Sequence, residues 1–126
     1  MPKSQAHLYG VIKGKKVAPG IYRVLDLVEK PKENPPSNLA IIGRYILTPE
    51  IFAALEETAP GKGGEIQLTD AIKILLKTQE VYAYEFEGCR YDAGDKLGFL
   101  MANVSLALKR PELKNEFRKF LKGLKL

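Results

Sequence analysis

Between Asn38 and Leu47 the sequence is almost continuously apolar, carrying Leu39, Ala40, Ile41, Ile42, Tyr45, Ile46 and Leu47. A strand of that composition needs cover on both faces, the situation of an inner strand in an α/β sheet. Helices must therefore be available to lie on it. The apolar periodicity supplies them only downstream, whereas the residues before Asn38 read as strand and turn. Tyr9 to Lys13 and Ile21 to Glu29 are short alternating or β-branched runs, separated by turn-rich Gly14-Lys15-Lys16 and Pro19-Gly20. Val81 to Glu87 completes the expected strands. Two loops intervene, 31–37 with three prolines and 59–64 with three glycines.

Four helices are predicted. Thr48-Pro49 opens a short one carrying Ile51, Phe52 and Leu55, a cap followed by a first-turn proline. A second runs from about Gln67 to Lys77, with Leu68, Ala71, Ile72, Leu75 and Leu76 inward. A third spans Lys96 to Lys109, capped by Asp95, with Leu97, Leu100, Met101, Val104 and Leu108 on one face. The last places Leu113, Phe117, Phe120, Leu121 and Leu124 in one stripe, with Pro111 in the first turn. The class is α/β. At 126 residues and 45% hydrophobic content, without an internal repeat or a low-complexity linker, one globular unit over residues 1–126 is expected.

Charge location narrows the partners. The formal net charge is +5, yet residues 1–108 hold 13 Lys/Arg against 13 Asp/Glu. The excess lies from Lys109 onward, where 7 basic residues face Glu112 and Glu116. That distribution describes the solvated face of an amphipathic helix, and nucleic acid is not an expected partner. No stretch approaches the roughly 18 apolar residues of a membrane span, so no membrane partner is expected. One cysteine, Cys89, provides neither a disulfide framework nor a zinc site and reads as an inert thiol; a cytoplasmic location fits it. A single histidine, His7, excludes sites that need several imidazoles.

Four positions invite chemistry. Glu29-Lys30-Pro31 closes the second strand, and Pro31 breaks the ladder there. Neighbouring side chains on a strand face opposite ways unless a break re-aims them, and strand ends are where sheets bind ligands. A carboxylate accepts sugar hydroxyls and an ammonium neutralises a phosphate, although a solvated ion pair would look the same in sequence. Asp92, between a strand and a helix, suits either a cap or a hard cation; Asp95 suits the cap better. Gly10 either admits a ligand close to the backbone or relieves a strand. Gly61-Lys62-Gly63-Gly64 lacks the strand-before-helix order and terminal Lys-Ser/Thr of a P-loop.

Six blocks appear in order: Tyr9-Gly10-Val11-Ile12; Val28-Glu29-Lys30-Pro31; Ser37-Asn38-Leu39-Ala40-Ile41-Ile42-Gly43-Arg44-Tyr45; Gly64-Glu65-Ile66-Gln67-Leu68-Thr69-Asp70-Ala71-Ile72; Tyr84-Glu85-Phe86-Glu87-Gly88; and Tyr91-Asp92-x-Gly94-x-Lys96-Leu97-Gly98. From about His7 to Leu121 the chain resembles the C-terminal part of bacterial UTP–glucose-1-phosphate uridylyltransferases. The resemblance implies the C-terminal portion of a nucleotide-diphospho-sugar transferase-like mixed sheet, followed by C-terminal helices. It implies nucleotidyl transfer from UTP to glucose 1-phosphate, giving UDP-glucose and pyrophosphate. By the same resemblance Glu29 holds glucose hydroxyls, Lys30 grips the sugar phosphate as the catalytic cation, the Gly10 backbone meets the sugar and Asp92 binds Mg²⁺. The family's glycine-rich nucleotide loop and second metal aspartate have no counterpart here. The chain is thus expected to be a sugar-binding half without its N-terminal nucleotide-binding half, inactive alone. A homo-oligomer is expected, because such a sheet lacks part of its cover. Thymidylyl transfer and a non-enzymatic interaction module are the alternatives.

Overall fold

The computed structural model describes residues 3–125. They fall into two compact units, Met1–Phe86 and Glu87–Leu126, where the sequence suggested one.

The first unit is built on an antiparallel sheet of order β1-β2-β3, with β1 Gly10–Ala18, β2 Ile21–Glu29 and β3 Tyr82–Tyr84. A 3₁₀ turn, Lys3–Leu8, leads into β1. Pro19 and Gly20 make the hairpin turn, and Gly20 takes φ +68, the second corner that glycine occupies after proline. The ladder starts at Gly10↔Glu29 and ends at Ala18↔Ile21. It slips twice, leaving Leu25 unmatched on β2 and Val17 unmatched on β1. The Leu25 bulge reverses the side-chain alternation, so Val24 and Leu27 both face the core while Leu25 is exposed.

Two strand expectations need correction. Gly14-Lys15-Lys16 is not a turn. Val24, Arg23 and Tyr22 continue the ladder opposite these three residues, and Gly14 fits because a Cβ there would sit 3.2 Å from the Tyr22 Cβ. Nor is 38–47 an inner strand. Among the described residues its strand pairing is limited to the Val11↔Ala40 bridge, with Ile12 N–H donating to the Leu39 carbonyl (3.1 Å) and Ile41 N–H to the Gly10 carbonyl (2.8 Å), while Leu39 and Ile41 pack against the core. The Ser37 hydroxyl donates to the Ile12 carbonyl (2.6 Å), so a side chain takes the acceptor a longer ladder would use. Gly43 then turns away at φ +79, and Ile42, Tyr45, Ile46 and Leu47 are exposed. Val81 to Glu87 shortens to β3, flanked by a Val24 N–H bond to the Val81 carbonyl and a Glu85 N–H bond to the Gly20 carbonyl.

Helix α1, Ile51–Glu57, and helix α2, Leu68–Leu75, cover one face of the sheet. Ile12, Val24 and Leu27 pack with Ile51, Ala54, Ala71, Ile72 and Leu75 to form the core. The helical stripe read from sequence is the one that is buried in α2, with Leu68 and Leu76 at its edges. Thr48 does not cap α1 through its side chain, which instead accepts from the Gln79 amide at 3.1 Å.

The second unit holds α3, Lys96–Ala107, and α4, Lys114–Gly123. Asp95 caps α3 as expected, its carboxylate accepting from Gly98 N–H at 2.7 Å. Pro111 lies in the turn before α4 rather than inside its first turn. The Phe117 and Phe120 rings stack with centroids 6.1 Å apart. Neither helix has a buried residue. No helix among the described residues is long and apolar enough to cross a membrane.

Candidate active site at the end of the second strand

The first unit assembles its polar cluster where β2 ends. Antiparallel register sets Gly10 directly opposite Glu29. The next residue, Lys30, leaves the strand at φ +43, a conformation most side chains avoid. Its N–H still reaches the Tyr9 carbonyl at 3.1 Å, which holds the bend against β1. Because of that bend, Lys30 does not point away from Glu29 as a regular strand neighbour would. Its Nζ lies 3.8 Å from Glu29 Oε1. The carboxylate is mostly buried, at 16% exposure, and the ammonium is 42% exposed. A buried acceptor beside a more open cation can take hydroxyls at one end of a ligand and an anionic group at the other.

Gly10 leaves room for the cluster above it. A Cβ there would come within 2.9 Å of Glu29 Oε2, 3.1 Å of Ile41 Cδ1 and 3.3 Å of Thr69 Oγ1. The Thr69 hydroxyl donates to Glu29 Oε2 at 2.6 Å. Thr69 is the site residue that the sequence reading did not single out. It was visible as a hydroxyl on the inward stripe of α2, three residues before Ile72 and otherwise among apolar positions. Tyr45, 39% exposed, also senses the cluster: partial burial of its phenol first, and then the Glu29 charge, push it above the ordinary value.

Asp92 belongs to the second unit. One carboxylate oxygen accepts from Arg90 Nη2 at 2.9 Å and the other from Gly94 N–H at 3.1 Å. Its carbonyl oxygen lies so close to Gly98 that a Cβ on that residue would overlap it. Asp95 is committed to the cap. Among the described residues no three His, Cys, Asp or Glu side chains come together to hold a metal. Asp92 is therefore a hard-oxygen donor, 45% exposed, with the committed Asp95 beside it. That is compatible with Mg²⁺ held mainly by water and substrate phosphates, provided Arg90 gives up its oxygen.

In the glycine loop, Gly61 faces the Asp70 carboxylate, which a Cβ would approach within 3.2 Å and which opposes an anion there. Cys89 is a free, exposed thiol.

Residues 1–108 match the nucleotidyl transferase family. The UTP–glucose-1-phosphate uridylyltransferase of Staphylococcus epidermidis is 52% identical over 125 residues, covering 98% of this chain and 43% of the relative. That of Streptococcus pneumoniae serotype 4 is 53% identical over 126 residues, covering 96% of this chain and 41% of the relative. A UTP-bound UGPase from Acinetobacter baumannii superposes with a TM-score of 0.85 at 37% identity, over 99% of this chain and 43% of the other. A UDP-glucose pyrophosphorylase complexed with UDP-glucose gives 0.78 at 50% identity, over 84% and 41%. The chain thus spans less than half the length of these relatives, and its match over residues 1–108 makes it a member of the nucleotidyl transferase family.

Proposed function

We propose that this chain carries the glucose 1-phosphate-binding portion of a UTP–glucose-1-phosphate uridylyltransferase site. The observation that carries the reading is the bend at Lys30, which brings the last strand residue and the one after it into one carboxylate–ammonium pair beside Gly10. Glu29 would accept glucose hydroxyls, Lys30 would neutralise the sugar phosphate, and the Gly10 backbone would lie against the sugar. Asp92 would lend one carboxylate oxygen to Mg²⁺, whose chemistry is to offset charge on the transferring phosphates. The whole reaction, UTP plus glucose 1-phosphate giving UDP-glucose and pyrophosphate, is proposed for the chain in the context of the longer proteins it resembles. Positioning and charge neutralisation dominate phosphoryl-group chemistry, which is the work these side chains can do. The relatives' names support uridylyl over thymidylyl transfer. A cytoplasmic setting and self-association belong to the same proposal; the exposed apolar residues from Ile42 to Leu47 favour the latter.

Calorimetric titration with glucose 1-phosphate tests the core of it. Lys30→Ala should weaken binding severalfold, and Lys32→Ala, an exposed neighbour, should leave it unchanged. Equal effects from both would remove the assignment of Lys30. The 126-residue polypeptide by itself is expected to form no UDP-glucose, and turnover near the ~10 s⁻¹ of an ordinary enzyme would show that it holds a complete site. Self-association is checked by light scattering over a dilution series, where a 14.0 kDa species at every concentration would exclude it.

A further inference from the structure

We infer that Thr69 is a positioning residue that fixes the Glu29 carboxylate in the orientation needed to receive a sugar hydroxyl. The inference rests on the proposed role of Glu29 and deepens it. Thr69 is 5% exposed, on the inward face of α2. A helical threonine commonly returns its hydroxyl to a carbonyl one turn back. Here it donates across 40 positions in sequence to Glu29 Oε2, at 2.6 Å. The same oxygen occupies space that Gly10 leaves open, where a Cβ would come within 2.9 Å. A glutamate left to itself rotates about several bonds, and each orientation presents a different oxygen. With Oε2 held by the Thr69 hydroxyl in the space Gly10 leaves open, the other oxygen, Oε1, is the one 3.8 Å from the Lys30 ammonium. The sheet supplies Glu29 and Gly10, the helix supplies the hydroxyl, and the arrangement exists before any ligand arrives, so little reorganisation is left for binding. Thr69 is not assigned a contact with substrate; it acts through Glu29.

The test is calorimetric titration of the chain, with Mg²⁺ present, against glucose 1-phosphate, analogues each lacking one ring hydroxyl, and inorganic phosphate. Thr69→Val keeps the shape and removes the donor; a hydrogen bond to a charged acceptor corresponds to a weakening of roughly tenfold or more. Thr69→Ser should restore binding. Inorganic phosphate, which senses Lys30 and not Glu29, should bind both variants like the unmodified chain. The Thr69→Val penalty should also vanish for the one analogue that lacks the hydroxyl Glu29 accepts. If Thr69→Val does not fold, as judged by circular dichroism, Thr69→Ala removes the same donor without crowding and takes its place. Unchanged affinity in the donor-less variant, failure of serine to restore it, or an equal penalty for every analogue would overturn the role of Thr69 while leaving Glu29 and Lys30 as proposed. An unmodified chain that binds no glucose 1-phosphate would remove the proposed function, and the role of Thr69 with it.

Discussion

The two units use the same kinds of residue to opposite effect. In Met1–Phe86, ten apolar side chains among the described residues are buried, and two helices press their stripes onto a sheet. In Glu87–Leu126, α3 and α4 carry comparable apolar residues, yet neither buries one, and Leu97, Phe99, Leu100, Met101 and Phe120 are exposed. Ion pairs differ in the same sense. Lys73 on α2 reaches Asp26 on β2 at 2.8 Å, tying helix to sheet, whereas Arg110 and Glu112 pair at 3.7 Å two residues apart and tie nothing distant. Apolar content alone does not make a core. A sheet face does, because it offers an extended surface that several helical stripes can share. The first unit holds the strand-end cluster on that rigid base, and the second holds Asp92 on a loop fixed mainly by its own turn and cap.

Removing a core side chain should give the largest effect and test whether the units are separate in stability. Ile72 is 2% exposed in the middle of the core. Ile72→Ala is expected to cost ~2–5 kcal/mol. Urea unfolding followed by hydrogen exchange should show amides of α2 and the sheet losing protection while those of α3 and α4 keep theirs. If α3 loses protection in step, the units unfold as one and the contrast fails.

Gly98→Ala comes next and acts on the second unit. Alanine inside a helix ordinarily gains ~1 kcal/mol over glycine. Here its Cβ would overlap the Asp92 carbonyl oxygen. Forcing backbone apart typically costs ~1–3 kcal/mol, so the net change should be destabilising and confined to the loop and first turn of α3. Amide chemical shifts from Tyr91 to Gly98 should move while those of Gly10 to Glu29 stay. A more stable variant would mean that the loop yields freely and that Asp92 is not held where the structure has it.

What sequence could reveal follows from the same contrast. The inward stripe of α2, the Asp95 cap and the strand end at Glu29-Lys30-Pro31 were legible because each depends on residues close together in the chain. The segment 38–47 was not. Its apolar run speaks of burial, but whether a ladder forms depends on partners elsewhere, and on the Ser37 hydroxyl taking the Ile12 carbonyl. Gly14 looked like a turn because the bulge at Leu25, which lets the hairpin run past it, is a property of the pairing and not of either strand. At the site, Gly10, Glu29 and Lys30 were readable as residues, yet the φ of +43 that brings the last two together and the hydroxyl of Thr69 became visible only in the fold.

The Asp26–Lys73 pair gives a smaller effect that is specific to the first unit. The Lys73 ammonium, hydrogen-bonded to Asp26, holds its carboxyl below the ordinary value; partial burial opposes this, and the Leu27 N–H and the charges of Lys73 and Lys13 assist. The folded protein therefore binds this proton less readily than the unfolded chain. The contribution is complete above the unfolded value, about 3.9, and is lost as pH falls through the folded one. With side chains 39% and 51% exposed, the pair should contribute only ~0.2–1 kcal/mol. Denaturant midpoints of the chain and of Asp26→Asn should differ near neutral pH and converge in acid below the folded value. A gap that widened in acid would mean that Asp26 is not stabilised as a carboxylate.

The smallest change in stability should come from the substitution that resembles Ile72→Ala most closely on paper. Leu100 lies in the middle of α3 and is 61% exposed. Little apolar area returns to water when it is replaced, and serine is only modestly poorer in a helix than leucine. Leu100→Ser should therefore shift the unfolding free energy of the dilute chain by about 0.5 kcal/mol or less, in the range of ordinary surface changes. At high concentration the same substitution should matter more, because Leu97, Leu100 and Met101 form exposed apolar surface that association would cover. Unfolding and light scattering of both proteins at two concentrations separate these effects. A loss in dilute solution comparable to that of Ile72→Ala would mean that Leu100 is buried after all and that α3 has a core of its own. A small loss in dilute solution, joined to weaker association, would confirm that the second unit's apolar residues act between chains.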